Sequence, residues 1–224
     1  MSRKQLDNFV RLLKASPFGA VFNPWWEVDR ENDIGRIAPI IRRQQLRAYV
    51  QERLGHAKLV VIGEALGYRG GHFSGIPMTS ERMLLRQQRH IVAGIKPRRT
   101  SKSSVCPNGF SEPTATIVWG ALLKISVLSD EFVLWNAFPW HSFDPRRGPL
   151  SNRMPNKSER AAGLPVLKAF LELFPCDQVA ALGKVAAAQL ELLNVNAHCI
   201  RHPASGGARL FRTQIAAVVH SERD

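Results

Sequence analysis

The sequence predicts an α/β fold in which helices cover both faces of a central, mostly parallel four-stranded sheet. Short apolar runs rich in branched residues alternate four times along the chain with longer segments of helical periodicity. Parallel neighbours in a sheet need crossover connections, and the crossover helices pack back onto the sheet. We therefore expect a three-layer α/β/α architecture.

These patterns also set the expected positions of the elements. Strands are expected over residues 58–62, 131–138, 178–183 and 197–201. Helices are expected over residues 3–14, 40–54, 116–128, 158–174, 184–193 and 208–219. A further helix opens after Ser80, whose hydroxyl can cap it. Gly63 is expected to end the first strand, because a glycine-rich loop follows it.

The helix over residues 40–54 is amphipathic. Its apolar face is expected to pack inward, with arginines around that face at positions Arg42, Arg43, Arg47 and Arg53. Gly55 ends the pattern.

At 224 residues the chain has the length of one large domain. We expect a single domain over residues 1–224, with an N-terminal helical part over 1–56 and a basic surface loop over 96–112. The basic loop has no apolar periodicity, so an exposed position is expected. Two interpretations of it stay open: a solvated surface segment, or a contact for phosphate groups.

The charge balance points to a polyanionic partner. Lysine and arginine number 31 against 18 acidic residues, for a formal net charge of +13. The sequence pI is near 10.5. Such a balance favours nucleic acid over a neutral metabolite, and here DNA is the expected partner. The alternative is a basic surface that only aids solubility.

Cysteine usage and the first residues indicate the compartment. Cys106, Cys176 and Cys199 lie far apart, which argues against a disulfide framework, a zinc site or an iron–sulfur cluster. We expect no metal and no cofactor. The start of the chain lacks the apolar region of a signal peptide, and no apolar run reaches the ~20 residues that span a bilayer. A cytoplasmic protein is expected, nucleoid-associated if bacterial, with no membrane partner.

Three loops that follow predicted strands carry polar side chains. Glu64 lies in the glycine-rich loop after the first strand, Asn136 near the end of the second, and His202 after the fourth. The carboxyl ends of parallel strands meet at one edge of a sheet, where ligands bind. A site with a carboxylate, an amide and an imidazole is expected there. Neither a Walker A sequence nor the dinucleotide fingerprint occurs, which disfavours a nucleotide cofactor.

The ordered set of motifs resembles that of the uracil-DNA glycosylase superfamily. The run Gly63-Glu64-Ala65-Leu66-Gly67 is similar to the G-E-A-P-G motif of bacterial and archaeal branches, and Gly75-Ile76-Pro77 is similar to the start of their G-x-P-F segment. The run His202-Pro203-Ala204-Ser205 resembles the H-P-S or H-P-A motif. The resemblance implies a monomeric enzyme that flips uracil out of DNA and releases it as the free base, leaving an abasic site.

Cleavage of an N-glycosidic bond builds positive charge on the sugar and negative charge on the base. Glu64 suits the first by positioning or activating water, and His202 suits the second by donating to the base O2. The amide of Asn136 offers a donor and an acceptor to the uracil edge. The backbone at Gly63, Ala65 and Leu66 is expected to line the base pocket, with amide contacts from the last two.

An aromatic platform is expected to stack on the base. Phe73 is the first choice and Tyr68 the second, while Met78 stands where the G-x-P-F branch has a stacking phenylalanine. His72 and His141 are expected at the surface or behind the site.

The segment after His202 is expected to bind DNA. Ser205 and Gly206 can approach phosphates through their backbone, and either Arg209 or Leu210 can enter the stack that the base leaves. Packing inside the helix is the alternative role for Leu210.

Several departures from the family pattern indicate an atypical branch. Leu66 replaces the motif proline, Ala65 stands where other branches have a water-activating aspartate, and the iron–sulfur cysteines are missing. Damage other than uracil is therefore a possible substrate. The rival function is a damaged-DNA-binding protein that kept the fold without the chemistry. A hydrolase of free nucleosides is a third interpretation, which the charge of +13 disfavours.

Overall fold

The structure is a computed structural model that describes residues 3–86, 88–125, 127–176 and 178–220. Helices and strands alternate along the chain as predicted. In chain order the elements are α1 (Arg3–Leu12), β1 (Val21–Phe22), α2 (Ala38–Arg53), β2 (Leu59–Ala65), α3 (Gly71–Ser74), α4 (Glu81–Arg86), α5 (Gln88–Ile91), α6 (Pro113–Lys124), β3 (Phe132–Phe138), β4 (His141–Ser142), α7 (Lys157–Leu173), β5 (Gln178–Leu182), α8 (Lys184–Glu191), β6 (His198–Ile200) and α9 (Ala208–His220). In the described part of the chain, every helix is too short or too polar to cross a bilayer.

The central sheet has four strands in the order β3-β2-β5-β6, and all neighbours are parallel. Every residue of β3 is buried, as are the first five of β2 and all of β5. Helix α7 packs against β3, and α8 packs against β5. The predicted three-layer α/β/α fold with a parallel four-stranded sheet is confirmed.

The central strand β2 is longer than predicted. It does not end at Gly63 but runs through Ala65, which pairs with Phe138 of β3. The neighbouring residues supply the reason: Gly63 faces Asn136 of β3, and a Cβ atom at Gly63 would lie 2.6 Å from Asn136 Oδ1. Here the glycine makes room for a side chain within the sheet, whereas the prediction took it for a turn residue.

A second sheet was not predicted. Strands β1 and β4 have two residues each and pair antiparallel, with Val21 opposite Ser142 and Phe22 opposite His141. Runs of two residues carry no periodicity, so the sequence pattern does not reveal them. The pair joins the N-terminal segment to the loop that follows β3.

Two arginines of α2 are buried, contrary to the expectation that they would surround its apolar face. Arg42 is 0% exposed and binds both carboxylate oxygens of Asp33 at 2.6 and 2.9 Å. Arg53 is 1% exposed and donates to backbone carbonyls of several segments, including Phe132 at 3.0 Å and Ser129 at 2.7 Å. Complete hydrogen bonding makes both buried charges tolerable.

The basic loop over residues 96–112 is anchored at its middle. Thr100 and Ser101 are fully buried, and their backbone N–H groups donate to Glu81 Oε1 at 2.7 and 2.9 Å. Lys96, Arg98 and several residues after Lys102 remain exposed. The expectation of an exposed loop was therefore wrong at its centre, because the buried carboxylate of Glu81 takes its partners there.

Two buried histidines connect segments far apart in sequence. His72 Nδ1 lies 2.9 Å from His141 Nδ1, His72 Nε2 lies 3.2 Å from Asp29 Oδ2, and His141 Nε2 donates to Ser151 O at 2.8 Å. Both rings are 0% exposed, so of the two positions expected for them, at the surface or behind the site, the surface one is excluded. The network ties the N-terminal segment to the loops after β2 and β3.

The protons of this network follow from its partners. His141 donates through Nε2, so its Nδ1 accepts from His72 Nδ1. Burial lowers the pKa of His72, and its hydrogen bond with Asp29 opposes that shift. Burial alone would raise the pKa of Asp29, but hydrogen bonds from His72 and Asn32 lower it to about 2. Burial lowers the pKa of His141 to about 3.

We predict that Arg42→Met lowers the free energy of unfolding by about 3–5 kcal/mol, because it leaves the buried carboxylate of Asp33 without its cation. Arg47→Met is the matched control, since Arg47 pairs with Asp7 at the surface, where their side chains are 38% and 51% exposed. It should cost less than about 1 kcal/mol. Urea unfolding monitored by circular dichroism measures both. Equal losses in the two variants would contradict the burial argument.

We also predict that folding stability falls as the pH is lowered from 6.5 to 5. With the pKa of His141 lowered to about 3, the unfolded chain takes up a proton at this position and the folded chain does not. The loss is about 1.4 kcal/mol per pH unit for each such histidine. His141→Gln should remove about 2 kcal/mol of the fall between these pH values, and the exposed His56→Gln should remove none. Identical pH dependence in wild type and His141→Gln would refute the assignment.

Candidate functional site

A cavity of about 450 Å³ opens at the carboxyl edge of the sheet, where the loops after β2, β3 and β6 meet. Its lining residues are Gly63, Glu64, Ala65, Leu66, Gly67, Met78, Glu112, Thr114, Asn136, Asn152, Arg153, Met154, His202 and Ala204. The structure thus brings the predicted carboxylate, amide and imidazole together in one cavity.

The amide of Asn136 is the most distinctive group in the cavity. Asn136 is 1% exposed, yet its Oδ1 and Nδ2 atoms have no hydrogen-bond partner among the described residues. An unpaired buried amide costs about 1–3 kcal/mol. Strand pairing sets its position, because Asn136 lies opposite Gly63 in the β2–β3 register. Such a donor and acceptor, held ready in a cavity, suit a ligand with a complementary polar edge.

His202 enters the cavity from the loop after β6. Its Nδ1 accepts a hydrogen bond from the backbone N–H of Ala204 at 3.1 Å. Burial and then the positive charge of Arg201 lower the pKa of His202, so the ring is neutral at pH 7. A neutral ring that accepts at Nδ1 carries its proton on Nε2. His202 is therefore a hydrogen-bond donor without charge.

Glycines make this position of His202 possible. Gly183 follows β5 with φ +84°, and a Cβ there would lie 3.6 Å from the Cβ of His202. A Cβ at Gly207 would collide with the backbone carbonyl of His202. The loop therefore turns tightly enough to return α9 to the sheet.

Glu64 is partly buried and lines the cavity. Burial raises its pKa, and the positive charge of Arg160 opposes that shift. Ala65 and Leu66 also line the cavity, but the side chain of Leu66 turns inward and packs on Gly71, where a Cβ would collide with it. The glycine-rich loop therefore presents mainly Glu64 and backbone to the cavity.

The aromatic residues predicted to stack on a base do not line the cavity. Phe73 is 0% exposed and stacks on Phe110, with ring centroids 4.4 Å apart and an interplanar angle of 4°. The ring of Tyr68 meets Phe110 edge-on, with centroids 6.1 Å apart, and its hydroxyl accepts from Arg69 Nε at 2.8 Å. The short helix α3 turns Phe73 into the interior, and the hydrophobic pattern alone did not distinguish that position from a platform in the pocket.

Met78 is the residue of this loop that reaches the cavity. It is 7% exposed, and its Sδ lies 3.2 Å from the position of a Cβ at Gly63. Its φ of +48° is in the left-handed region, which is uncommon for a residue other than glycine. Strained backbone of this kind persists where the surroundings hold it, often at functional sites. Because Met78 Sδ and Asn136 Oδ1 both lie close to the Cβ position of Gly63, Met78 lies beside the amide of Asn136.

The structure adds cavity residues that the sequence pattern did not single out. Glu112 precedes α6, and its Oε2 is buried without a hydrogen-bond partner among the described residues. Arg153 is held by Glu159 through two hydrogen bonds of 2.7 and 2.6 Å. Asn152 Oδ1 accepts from the backbone N–H of Tyr68 at 3.0 Å and so joins two of the loops. None belongs to a motif, so only tertiary structure identifies them.

The segment predicted to bind DNA lies at the edge of the cavity. Ser205, Gly206, Arg209 and Leu210 are all exposed, and Ser205 has a φ of +51°. Leu210 is 50% exposed, whereas its neighbour Phe211 is fully buried in the core. Helix packing, the alternative role for Leu210, therefore accounts for Phe211 and not for Leu210. Five more exposed arginines lie in the cavity loops or close to them in the sequence, namely Arg69, Arg146, Arg147, Arg201 and Arg212.

Comparison with known proteins shows the family and the fold of the chain. Residues 51–221 match the family model of the uracil DNA glycosylase superfamily. Among solved structures, the chain is similar to wild-type SMUG2 from Pedobacter heparinus, with a TM-score of 0.65, 13% sequence identity and 98% of each chain covered. That likeness shows a shared fold. A search of the curated proteins finds no match. The family match covers more than half of the chain, and the chain therefore belongs to the uracil DNA glycosylase superfamily, a superfamily of DNA glycosylases.

Proposed function

We propose that this protein is a base-excision enzyme that flips uracil, and other deaminated bases, out of DNA and hydrolyses the N-glycosidic bond. The observation that carries the proposal is the buried amide of Asn136, whose donor and acceptor are both unpaired in the cavity. Membership of the superfamily supports the reaction class. The net charge of +13 supports DNA as the substrate.

The amide of Asn136 matches the edge of a deaminated base. Uracil presents a carbonyl acceptor beside an N–H donor, and the amide offers Nδ2–H and Oδ1 to this pair. Cytosine presents an amino donor beside an unprotonated ring nitrogen, which reverses the pattern. Because Asn136 is buried and unpaired, a base with the wrong pattern leaves its polar atoms unsatisfied. A deaminated purine presents the same carbonyl beside an N–H, which extends the proposed substrates beyond uracil.

His202 suits the negative charge that develops on the departing base. As a neutral ring that donates through Nε2, it can give a hydrogen bond to the base O2 that strengthens as the bond breaks. Arg201 and burial both favour this neutral form. The donor is therefore uncharged at pH 7.

Glu64 suits the sugar side of the reaction. A carboxylate that lines the cavity stabilises the positive charge on the sugar and orients the water that attacks it. The neighbouring Ala65 has no side-chain group for that task. We therefore assign the orientation of the attacking water to Glu64.

Met78 is proposed to cover the face of the base. Apart from the imidazole of His202, no aromatic ring lines the cavity among the residues described. Met78 lies beside Asn136, and a thioether is polarisable enough to pack against a flat ring. At the cavity edge, exposed Arg209 is proposed to contact phosphates, while Leu210 enters the gap in the base stack.

The direct test is incubation of the purified protein with oligonucleotides containing uracil, hypoxanthine or xanthine, followed by alkaline cleavage of abasic sites. We expect release of uracil and a strand break at its position. No abasic site from any of the three would refute the proposal. Tight, salt-sensitive binding to the same DNA without base release would instead support the damaged-DNA-binding function.

Asn136→Ala and His202→Ala should each reduce kcat/KM on uracil-containing DNA by about 10²–10³-fold, because each removes a hydrogen bond that strengthens in the transition state. Asn196→Ala and His198→Ala are the controls, since both residues are exposed. They should retain activity. Thermal unfolding of all four separates loss of chemistry from loss of fold. Full activity in Asn136→Ala and His202→Ala would rule out the proposed site.

Gly63→Ala should disable the site without a change to any polar group. The added Cβ would lie 2.6 Å from Asn136 Oδ1 and 3.2 Å from Met78 Sδ, so the amide must shift. A displacement of about 1 Å lowers activity by about 10²-fold. Gly120→Ala is the matched control, because no atom lies within 4 Å of its added Cβ, and helix propensity favours alanine there. Comparable kcat/KM values for both variants would contradict the role of Gly63.

A further inference from the structure

Glu112 directs its side chain into the cavity although it stands at the N-terminus of α6. It is the residue that precedes the helix, yet its carboxylate makes no capping hydrogen bond. The carboxyl group lies against the glycine-rich loop. A Cβ at Gly67 would lie 3.0 Å from its Oε1, and a Cβ at Gly70 would collide with its Oε2. Two glycines thus leave the space that the carboxyl group occupies.

The surroundings of this carboxyl group disfavour a negative charge. Oε2 is buried, and no described residue donates a hydrogen bond to it. Burial raises the pKa of Glu112 to about 7. The ionisable side chains that share the cavity are Glu64, Arg153 and His202, and the adjoining loop carries Tyr68 and Arg69. Arg153 is engaged by Glu159, and Arg69 by the hydroxyl of Tyr68.

A purely structural role does not explain this placement. A carboxylate that stabilises a helix N-terminus accepts from the free N–H groups of the first turn and benefits from the helix dipole. Glu112 makes none of these contacts, and its Oε2 has no hydrogen-bond partner among the described residues. Buried polar atoms in folded proteins generally find partners. Glu112 lines the cavity, as Asn136 does, and its Oε1 lies beside Gly67, which is also part of the cavity wall, so a ligand in the cavity can reach this carboxyl group.

We propose that Glu112 binds the flipped base directly, as an uncharged carboxylic acid that donates a hydrogen bond to an acceptor atom of the base. This assignment rests on the proposed function and adds a second carboxyl group to the site. The proton stays on Glu112. As the C1′–N bond breaks, its electron pair moves onto the base, and a neutral donor stabilises that charge where a carboxylate would repel it. Glu64 acts as a carboxylate on the sugar side, so the two groups have opposite tasks.

The proposal predicts how activity depends on pH. The active form of Glu112 is protonated, so kcat/KM should fall about tenfold per pH unit as the pH rises above about 7. Glu112→Gln keeps the shape and a neutral donor that does not ionise, and it should abolish the falling limb. Glu112→Ala should lower kcat/KM at least tenfold below pH 7, where the wild-type group is protonated, and should also lack the falling limb. Glu191→Gln, at an exposed position on α8, is the control and should keep the wild-type profile.

A binding measurement separates this proposal from the proposed function. The ¹³C resonance of the Glu112 carboxyl carbon, assigned by comparison with Glu112→Gln, should titrate near neutral pH and shift when free uracil is added. If the wild type releases no base from any oligonucleotide, the proposed function fails, and this resonance still decides the role of Glu112. The proposal is overturned if Glu112→Gln keeps the falling limb, or if saturating uracil leaves the Glu112 resonance unchanged.

Discussion

The close approach of Gly63 to the side chain of Asn136 is the constraint on which the site depends. The two residues face each other across the β2–β3 pair of strands, and only the missing Cβ of Gly63 leaves room for the amide. Parallel pairing fixes which residues meet, because a slip of one residue would turn every side chain to the other face. The amide is therefore positioned by the sheet itself, the most rigid part of the fold.

Holding an unpaired amide in a buried cavity costs free energy that other contacts must offset. The surrounding loops are tied down by buried polar groups with full sets of partners. The pair formed by His72 and His141 links Asp29 to the loop after β3, and Glu81 fixes the middle of the basic loop. These groups make the cavity walls rigid while Asn136 and Glu112 stay unpaired. Among the described residues with unsatisfied buried atoms, Asn136 and Glu112 line the cavity.

Strand patterns and motif order were enough to predict the sheet and to bring Glu64, Asn136 and His202 to one edge. Strand positions follow from local hydrophobicity, and the carboxyl ends of parallel strands meet whatever the details of packing. Side-chain direction in irregular segments does not follow from local pattern. Phe73 was expected in the pocket but stacks on Phe110, which lies far along the chain. The sequence pattern did not single out Glu112, because the position of its carboxyl group depends on Gly67 and Gly70 in another loop.

The composition of the cavity wall suggests how the base is recognised. Stacking between aromatic rings adds about 0.5–1.5 kcal/mol beyond the area that it buries. Met78 has no aromatic ring and so does not gain this stacking energy, and the ring of His202 is assigned to donate a hydrogen bond to the base. Under the proposed function, recognition rests on the edges of the base, through the amide of Asn136 and the acid proposed for Glu112, more than on its faces. A site that reads edges discriminates by the cost of leaving a buried donor or acceptor unpaired, which exceeds what a shape difference of one methylene provides. Under the proposed function, such a site rejects cytosine and adenine, which present an amino donor beside an unprotonated ring nitrogen. Thymine and guanine carry the same carbonyl beside an N–H as the deaminated bases, so their exclusion falls to the shape of the cavity.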